Sequence, residues 1–276
     1  MSEMWLALAL AGAMTFSNTT TAALDRFDAN GVGLYYSVQG TGEPVVLLHG
    51  LYSNSRRAWE LPGTVMQLAA DHQVITLDLP GHGQSDKPDR ADAYGTAMVD
   101  DVVLLLDHLK IKKAHIVGYS MGGMITMKLL TTHPDRVTSA VVGGMGWLPE
   151  GTLLAEVFGR LQGGARGQTP AACVQSLGKL AISLDALKGI KVPTTIIVGS
   201  EDPVRQLFVE PLRSVRPDWP IVEIPDANHS QTPQRLEFKR AIADALKRRL
   251  THQPAGTTLL VWPPADWTAS LQHPQN

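Results

Sequence analysis

Val117-Gly118-Tyr119-Ser120-Met121-Gly122-Gly123 decides how this chain is read. An apolar run at residues 114–117 leads into it, and a run of helical character at residues 121–132 leads out. A strand, a tight turn with a serine at its apex, then a helix is the setting in which G-x-S-x-G carries chemistry. So sharp a turn strains the backbone at Ser120. A side chain at position 118 or 122 would collide with neighbouring elements, and glycine avoids that. The turn lifts the Ser120 hydroxyl clear of the sheet and sets it at a helix N-terminus, where backbone N–H groups lack partners.

The flanking sequence alternates in kind. Asn30-Gly31 signals a hairpin turn between strands at residues 24–28 and 32–38. Runs that are apolar without alternation stand at 45–48, 74–77, 137–142 and 194–198, as expected of strands buried on both faces, with a last strand at 221–224. Helices are predicted at 56–70, interrupted near Pro62-Gly63, and at 97–109, 121–132, 203–215 and 233–250. Met98, Val102, Leu105 and Leu109 form the apolar stripe of the second. This alternation predicts an α/β fold, a mostly parallel, doubly wound sheet with helices on both faces, whose chemistry collects at the carboxyl ends of the strands. The core comprises residues 23–144 and 191–250. Residues 145–190 carry no strand pattern and read as a small helical lid insertion, with helices at 153–161 and 171–180; the rival reading is a plain crossover.

Composition narrows the partners. A net charge of −2 argues against nucleic acid. The single cysteine, Cys173, permits neither an intrachain disulfide nor a thiolate metal site and reads as a small packed residue. Residues 1–22 form a leader in which an apolar run from Trp5 to Met14 precedes Ala22-Ala23, as in an export signal, although the start carries Glu3 and no basic residue. Export would place the protein in the periplasm or outside the cell. The competing reading is a surface leader on a cytoplasmic protein. The run is too short to span a bilayer.

A serine hydroxyl is a weak nucleophile and needs an adjacent base, itself oriented by a third group. Of nine histidines, His229 is the candidate base, because Asp226-Ala227-Asn228-His229-Ser230 follows the last strand and opens on the same sheet edge as Ser120. His115 lies within a strand, His72, His108 and His133 sit on or beside helices, and His252 and His273 fall in the tail. The orienting acid is assigned to Asp202 in Gly199-Ser200-Glu201-Asp202-Pro203. Glu201 is its rival, and a mere helix cap ahead of Pro203 is the alternative role for Asp202. No carboxylate follows the 137–142 strand, where the chain reads Gly143-Gly144-Met145-Gly146-Trp147. An anion developing on a carbonyl oxygen needs two aimed donors. These are assigned to the backbone N–H groups of Met121 and Leu51, with His49 read as structural.

With these residues in place the chain resembles the α/β-hydrolase family. The matching motifs are Leu48-His49-Gly50, Asp78-x-x-Gly81-x-Gly83-x-Ser85, Gly118-x-Ser120-x-Gly122-Gly123, Gly199-x-x-Asp202 and His229, in family order across residues 30–250. The resemblance implies a Ser120–Asp202–His229 triad, an oxyanion hole from Leu51 and Met121, and a structural turn at 78–85. A serine nucleophile departs from haloalkane dehalogenases and epoxide hydrolases, which use aspartate there, and residues 145–190 contain no tyrosine. The lid is short for carbon–carbon bond hydrolases, and the tail at 251–276, with Trp262-Pro263-Pro264 and Trp267, has no counterpart. The expected activity is hydrolysis of a small-molecule carboxylic ester with an apolar acyl or alcohol group, matched to Leu153, Leu154, Val157, Phe158 and Leu161. No metal or organic cofactor is expected. The alternatives are a lactonase, a carbon–carbon bond hydrolase, a cofactor-free perhydrolase, or a ligand receptor on the same scaffold.

Overall fold

The computed structural model describes residues 23–152 and 169–247. The leader, the predicted helix at 153–161 and the tail therefore lie outside the described residues. Strand β1 (Ala23–Ala29) turns into β2 (Val32–Gln39) through Asn30 and Gly31, at φ 54° and 83°. Two positive φ values in a two-residue loop match the twist of an antiparallel pair. Next come β3 (Glu43–Leu48), α1 (Thr64–Leu68), β4 (His72–Leu77), α2 (Ala97–His108), β5 (Ala114–Tyr119), α3 (Met121–Thr132) and β6 (Val137–Gly143). After the 145–190 segment, which contributes α4 (Ala171–Ser176) and α5 (Leu184–Gly189), the chain adds β7 (Thr194–Gly199), α6 (Glu210–Val215), β8 (Ile221–Ile224) and α7 (Leu236–Lys247).

The eight strands form one sheet in the order β1-β2-β4-β3-β5-β6-β7-β8. Only the β1–β2 and β2–β4 pairs are antiparallel; the other five are parallel. The chain winds outward from β3 in both directions, to β4 on one side and β5 on the other. In such sheets the crevice at that switch point receives ligands. Alternating side chains serve opposite faces. Ile116, Val142 and Ile196 join the core built with α2 and α3, whereas Val117, Val141 and Ile197 join the one that holds Trp59, α1 and α7.

Two predicted helices differ in detail. Residues 56–60 and 205–209 are wound as single π-turns, ending in Leu61 N–H to Arg56 C=O and Glu210 N–H to Arg205 C=O hydrogen bonds. Each of these widened turns ends just before a proline, Pro62 or Pro211. A proline ring clashes with the carbonyl four residues back, and widening the turn relieves that clash. The last helix begins at Leu236, after a 3-10 turn at Thr232–Gln234 that contains Pro233.

Asp101 on α2 is buried, and it accepts no hydrogen bond from a described residue. It lines a cleft of about 110 Å³ against the β1–β2 turn. Burial, then the neighbouring Asp100 charge, pushes its carboxyl up to about 8. The folded state therefore holds this proton more tightly than the unfolded chain. Stability from it is fully present below the ordinary aspartate pKa and is lost as pH rises towards about 8. Urea denaturation at pH 5 and pH 8.5 should show a lower midpoint at the higher pH, and Asp101→Asn should shrink that difference.

Candidate active site

The site is assembled from the loops that follow β3, β5, β7 and β8. Leu48 and Gly118 are register partners, so β3 and β5 end level. A Cβ on Gly50 would lie 3.2 Å from Ser120 Cβ, and one on Gly122 would lie 2.1 Å from the Leu48 carbonyl oxygen. The turn after β5 thus packs backbone to backbone against the end of β3, and only glycine fits at 122. Ser120 takes φ 55°, ψ −114° at the apex, and its N–H donates to Gly143 C=O at 2.8 Å. The N–H groups of Leu51 and Met121 donate to no described residue, leaving two backbone donors beside the serine.

His229 Nε2 lies 2.9 Å from Ser120 Oγ, and His229 Nδ1 lies 2.7 Å from Asp202 Oδ2. A carboxylate only accepts, so Nδ1 carries the proton and Nε2 is free to accept from the serine hydroxyl. The Asp202 side chain is fully buried, while that of His229 is 39% exposed. Its second oxygen, Oδ1, accepts from Val204 N–H at 3.0 Å, which pins the carboxylate at the start of the next turn. Helix capping and contact with His229 are therefore both satisfied by one aspartate. Glu201, its neighbour, is exposed, and its N–H donates to Ala227 C=O at 3.1 Å, joining the β7 and β8 loops.

Other histidines near the site are braced and neutral. His49 donates from Nδ1 to Gly50 C=O at 2.8 Å and accepts at Nε2 from Leu79 N–H at 3.1 Å. Both ring nitrogens are committed, and burial lowers its pKa. His82 stands edge-on to it at 5.1 Å and is pushed down to about 3, by burial first and His49 second. Asp78 receives Ser55 N–H at 2.8 Å and Gln84 N–H at 2.9 Å on its two oxygens, closing the 78–85 turn beneath the loop after β3. His115 is occupied elsewhere, between Ser139 Oγ at 2.7 Å and Glu43 Oε2 at 3.0 Å. Cys173 is buried, and burial pushes its thiol up to about 12. Among the described residues, no group of three His, Cys, Asp or Glu side chains is placed to hold a metal ion, and no helix is long and apolar enough to cross a membrane.

One residue at the site escaped sequence reasoning. Tyr119, the variable position before Ser120, donates its hydroxyl to the His229 backbone carbonyl at 2.6 Å. The available signal was indirect: the Gly143-Gly144 pair lies against its ring, and a Cβ at these positions would stand 2.8 Å and 2.6 Å from it.

Comparison with known proteins follows this geometry. A family model described as alpha/beta hydrolase fold matches residues 43–186, about half of the chain. A putative 2-succinyl-6-hydroxy-2,4-cyclohexadiene-1-carboxylate synthase of Bacillus subtilis is 34% identical over 115 residues, 40% of each chain. The matches span between a quarter and about half of the length of the curated relatives. Among solved structures, a thermophilic esterase from Thermogutta terrifontis superposes at TM-score 0.70 with 23% identity, covering 84% of this chain and 100% of that one. Est816, described as an N-acyl homoserine lactone degrading enzyme, superposes at 0.65 with 27% identity over 80% and 99% of the two chains.

If Asp202 sets the tautomer of His229, Asp202→Asn should leave the fold intact and slow phosphonylation of Ser120 by a fluorophosphonate. The expected loss approaches the ~10⁴-fold scale seen when a triad aspartate is made neutral. Labelling rates measured by intact-protein mass spectrometry check this.

Proposed function

The chain belongs to the alpha/beta hydrolase fold family, and from that premise we propose that it is a serine hydrolase acting on carboxylic esters. One observation carries the reading: a single imidazole spans the half-buried serine and a fully buried carboxylate, at 2.9 Å and 2.7 Å. Ser120 Oγ attacks the ester carbonyl while His229 Nε2 takes its proton. Asp202 orients the ring and offsets the imidazolium charge. The carbonyl oxygen, now an anion, is received by the N–H groups of Leu51 and Met121. His229 returns the proton to the leaving alcohol, which departs and leaves an acyl-serine. Water activated by His229 then attacks that ester, releasing the acid and restoring Ser120.

The 27% likeness to a lactone-degrading enzyme supports placing lactones, which are cyclic esters, within the same reading. The chemistry is unchanged, except that the leaving alcohol stays attached to the acyl group.

A chain-length series of chromogenic acyl esters, together with a lactone series, tests the proposal with wild type beside Ser120→Ala. Multiple turnovers with the wild type and their loss in the variant are expected. Absence of turnover in folded wild type with both series would overturn the ester assignment.

A further inference from the structure

The loop that carries His229 has far to reach. It leaves β8, which lies three strands from β5 in the sheet order, roughly 14 Å at ordinary strand spacing. The imidazole must nonetheless meet a hydroxyl at the end of β5. Asn228 ties the loop to itself: its side-chain oxygen accepts from the N–H groups of Ser230 and Gln231, each at 3.1 Å, and its carbonyl accepts from Thr232 N–H at 3.0 Å. Ala227 C=O is tied to the β7 loop through Glu201 N–H. The main chain of His229 itself receives one hydrogen bond among the described residues, from the Tyr119 hydroxyl at 2.6 Å.

Tyr119 is built to hold that position. It is buried, and its ring meets Phe238 of α7 edge-on at 5.6 Å. Gly143 and Gly144 make room on the β6 side, with Gly144 at φ 56°. Burial, then the charge of Asp202, raises the phenol pKa, so the hydroxyl stays protonated and donates. Its ring also lies 5.3 Å from the His229 ring, tilted by 39°. That is close enough for the ring face to favour the imidazolium that forms during turnover.

We infer that Tyr119 is a positioning residue, tethering the backbone of His229 to the residue next to the nucleophile, so that base and nucleophile share one anchor. The inference rests on the serine-hydrolase reading above. The tether fixes where the imidazole stands without touching substrate, so its loss should slow the proton-transfer steps and leave substrate binding alone.

Tyr119→Phe keeps the ring and its packing and removes only the donor. The expected result is a kcat and a fluorophosphonate labelling rate each lower by about tenfold, the scale of one hydrogen bond. KM and Tm should be close to wild type. In the free enzyme, the downfield proton resonance of His229 Nδ1–H should broaden in the variant, because the ring is held less firmly. Unchanged kcat, labelling and resonance would overturn the tether. So would a loss of activity that follows a lowered Tm and disappears on cooling, which marks a packing role. If wild type neither labels nor turns over ester, the hydrolase reading fails instead. The tether is then decided by the resonance, and equal sharpness in both proteins sinks it.

Discussion

Everything at the site depends on one close approach between backbones. The start of α3 lies so near the end of β3 that a Cβ on Gly122 would stand 2.1 Å from the Leu48 carbonyl oxygen. This contact brings Ser120 beside Gly50, next to Leu51, whose N–H, like that of Met121, donates to no described residue. Holding serine at φ 55° costs about 1–3 kcal/mol. The helix that follows buries Met121, Met124, Ile125, Met127, Leu129 and Leu130, which stabilises the fold by an amount of order 10 kcal/mol. The strain is small against that burial, so the turn persists, and the serine is held clear of the sheet.

Charge is distributed with the same economy. His49 and His82 brace the loop next to the proposed oxyanion position, and burial keeps both rings neutral. They supply hydrogen bonds to backbone groups without adding a proton-exchanging group there. His229 differs by being partly open to solvent and by facing a buried carboxylate on its far side. The three imidazoles meet different partners at Nδ1: a backbone carbonyl for His49 and His82, a carboxylate for His229.

Much of this was legible in the amino-acid order, for local reasons. Unbroken apolar runs marked β3 to β7, and Asn30-Gly31 marked the first hairpin. Ser120, Asp202 and His229 each stood in a loop after a strand, and the structure brings the Ser120 and Asp202 side chains each within hydrogen-bonding distance of the His229 ring. Asp202 was preferred from the sequence with Glu201 left as its rival, because adjacent acids differ only in which way the turn sends each side chain. The π-turns before Pro62 and Pro211 were missed for a similar reason: proline shows that a helix is disturbed, not how the backbone absorbs it. The strand order across β3 is set by non-local pairing and has no signature in a single window.

Gly143-Gly144 shows how an absence in sequence acquires a cause in three dimensions. No acid follows β6, and the structure offers a steric reason. The Tyr119 ring fills the space beside the end of that strand, where a Cβ at 143 or 144 would come within 2.8 Å or 2.6 Å of it. An aspartate there would have to displace the tyrosine. One strand further out, after β7, the turn leaves Asp202 room to bury its carboxylate behind His229 while also receiving Val204 N–H. The tyrosine that closes the nearer position in turn holds the His229 carbonyl. Both partners of the serine–imidazole contact are thereby referred to the end of β5, Ser120 by its peptide bond and His229 by a hydroxyl. In the proposed mechanism, an error in the long excursion from β8 is then corrected at the point where proton transfer is most sensitive to distance.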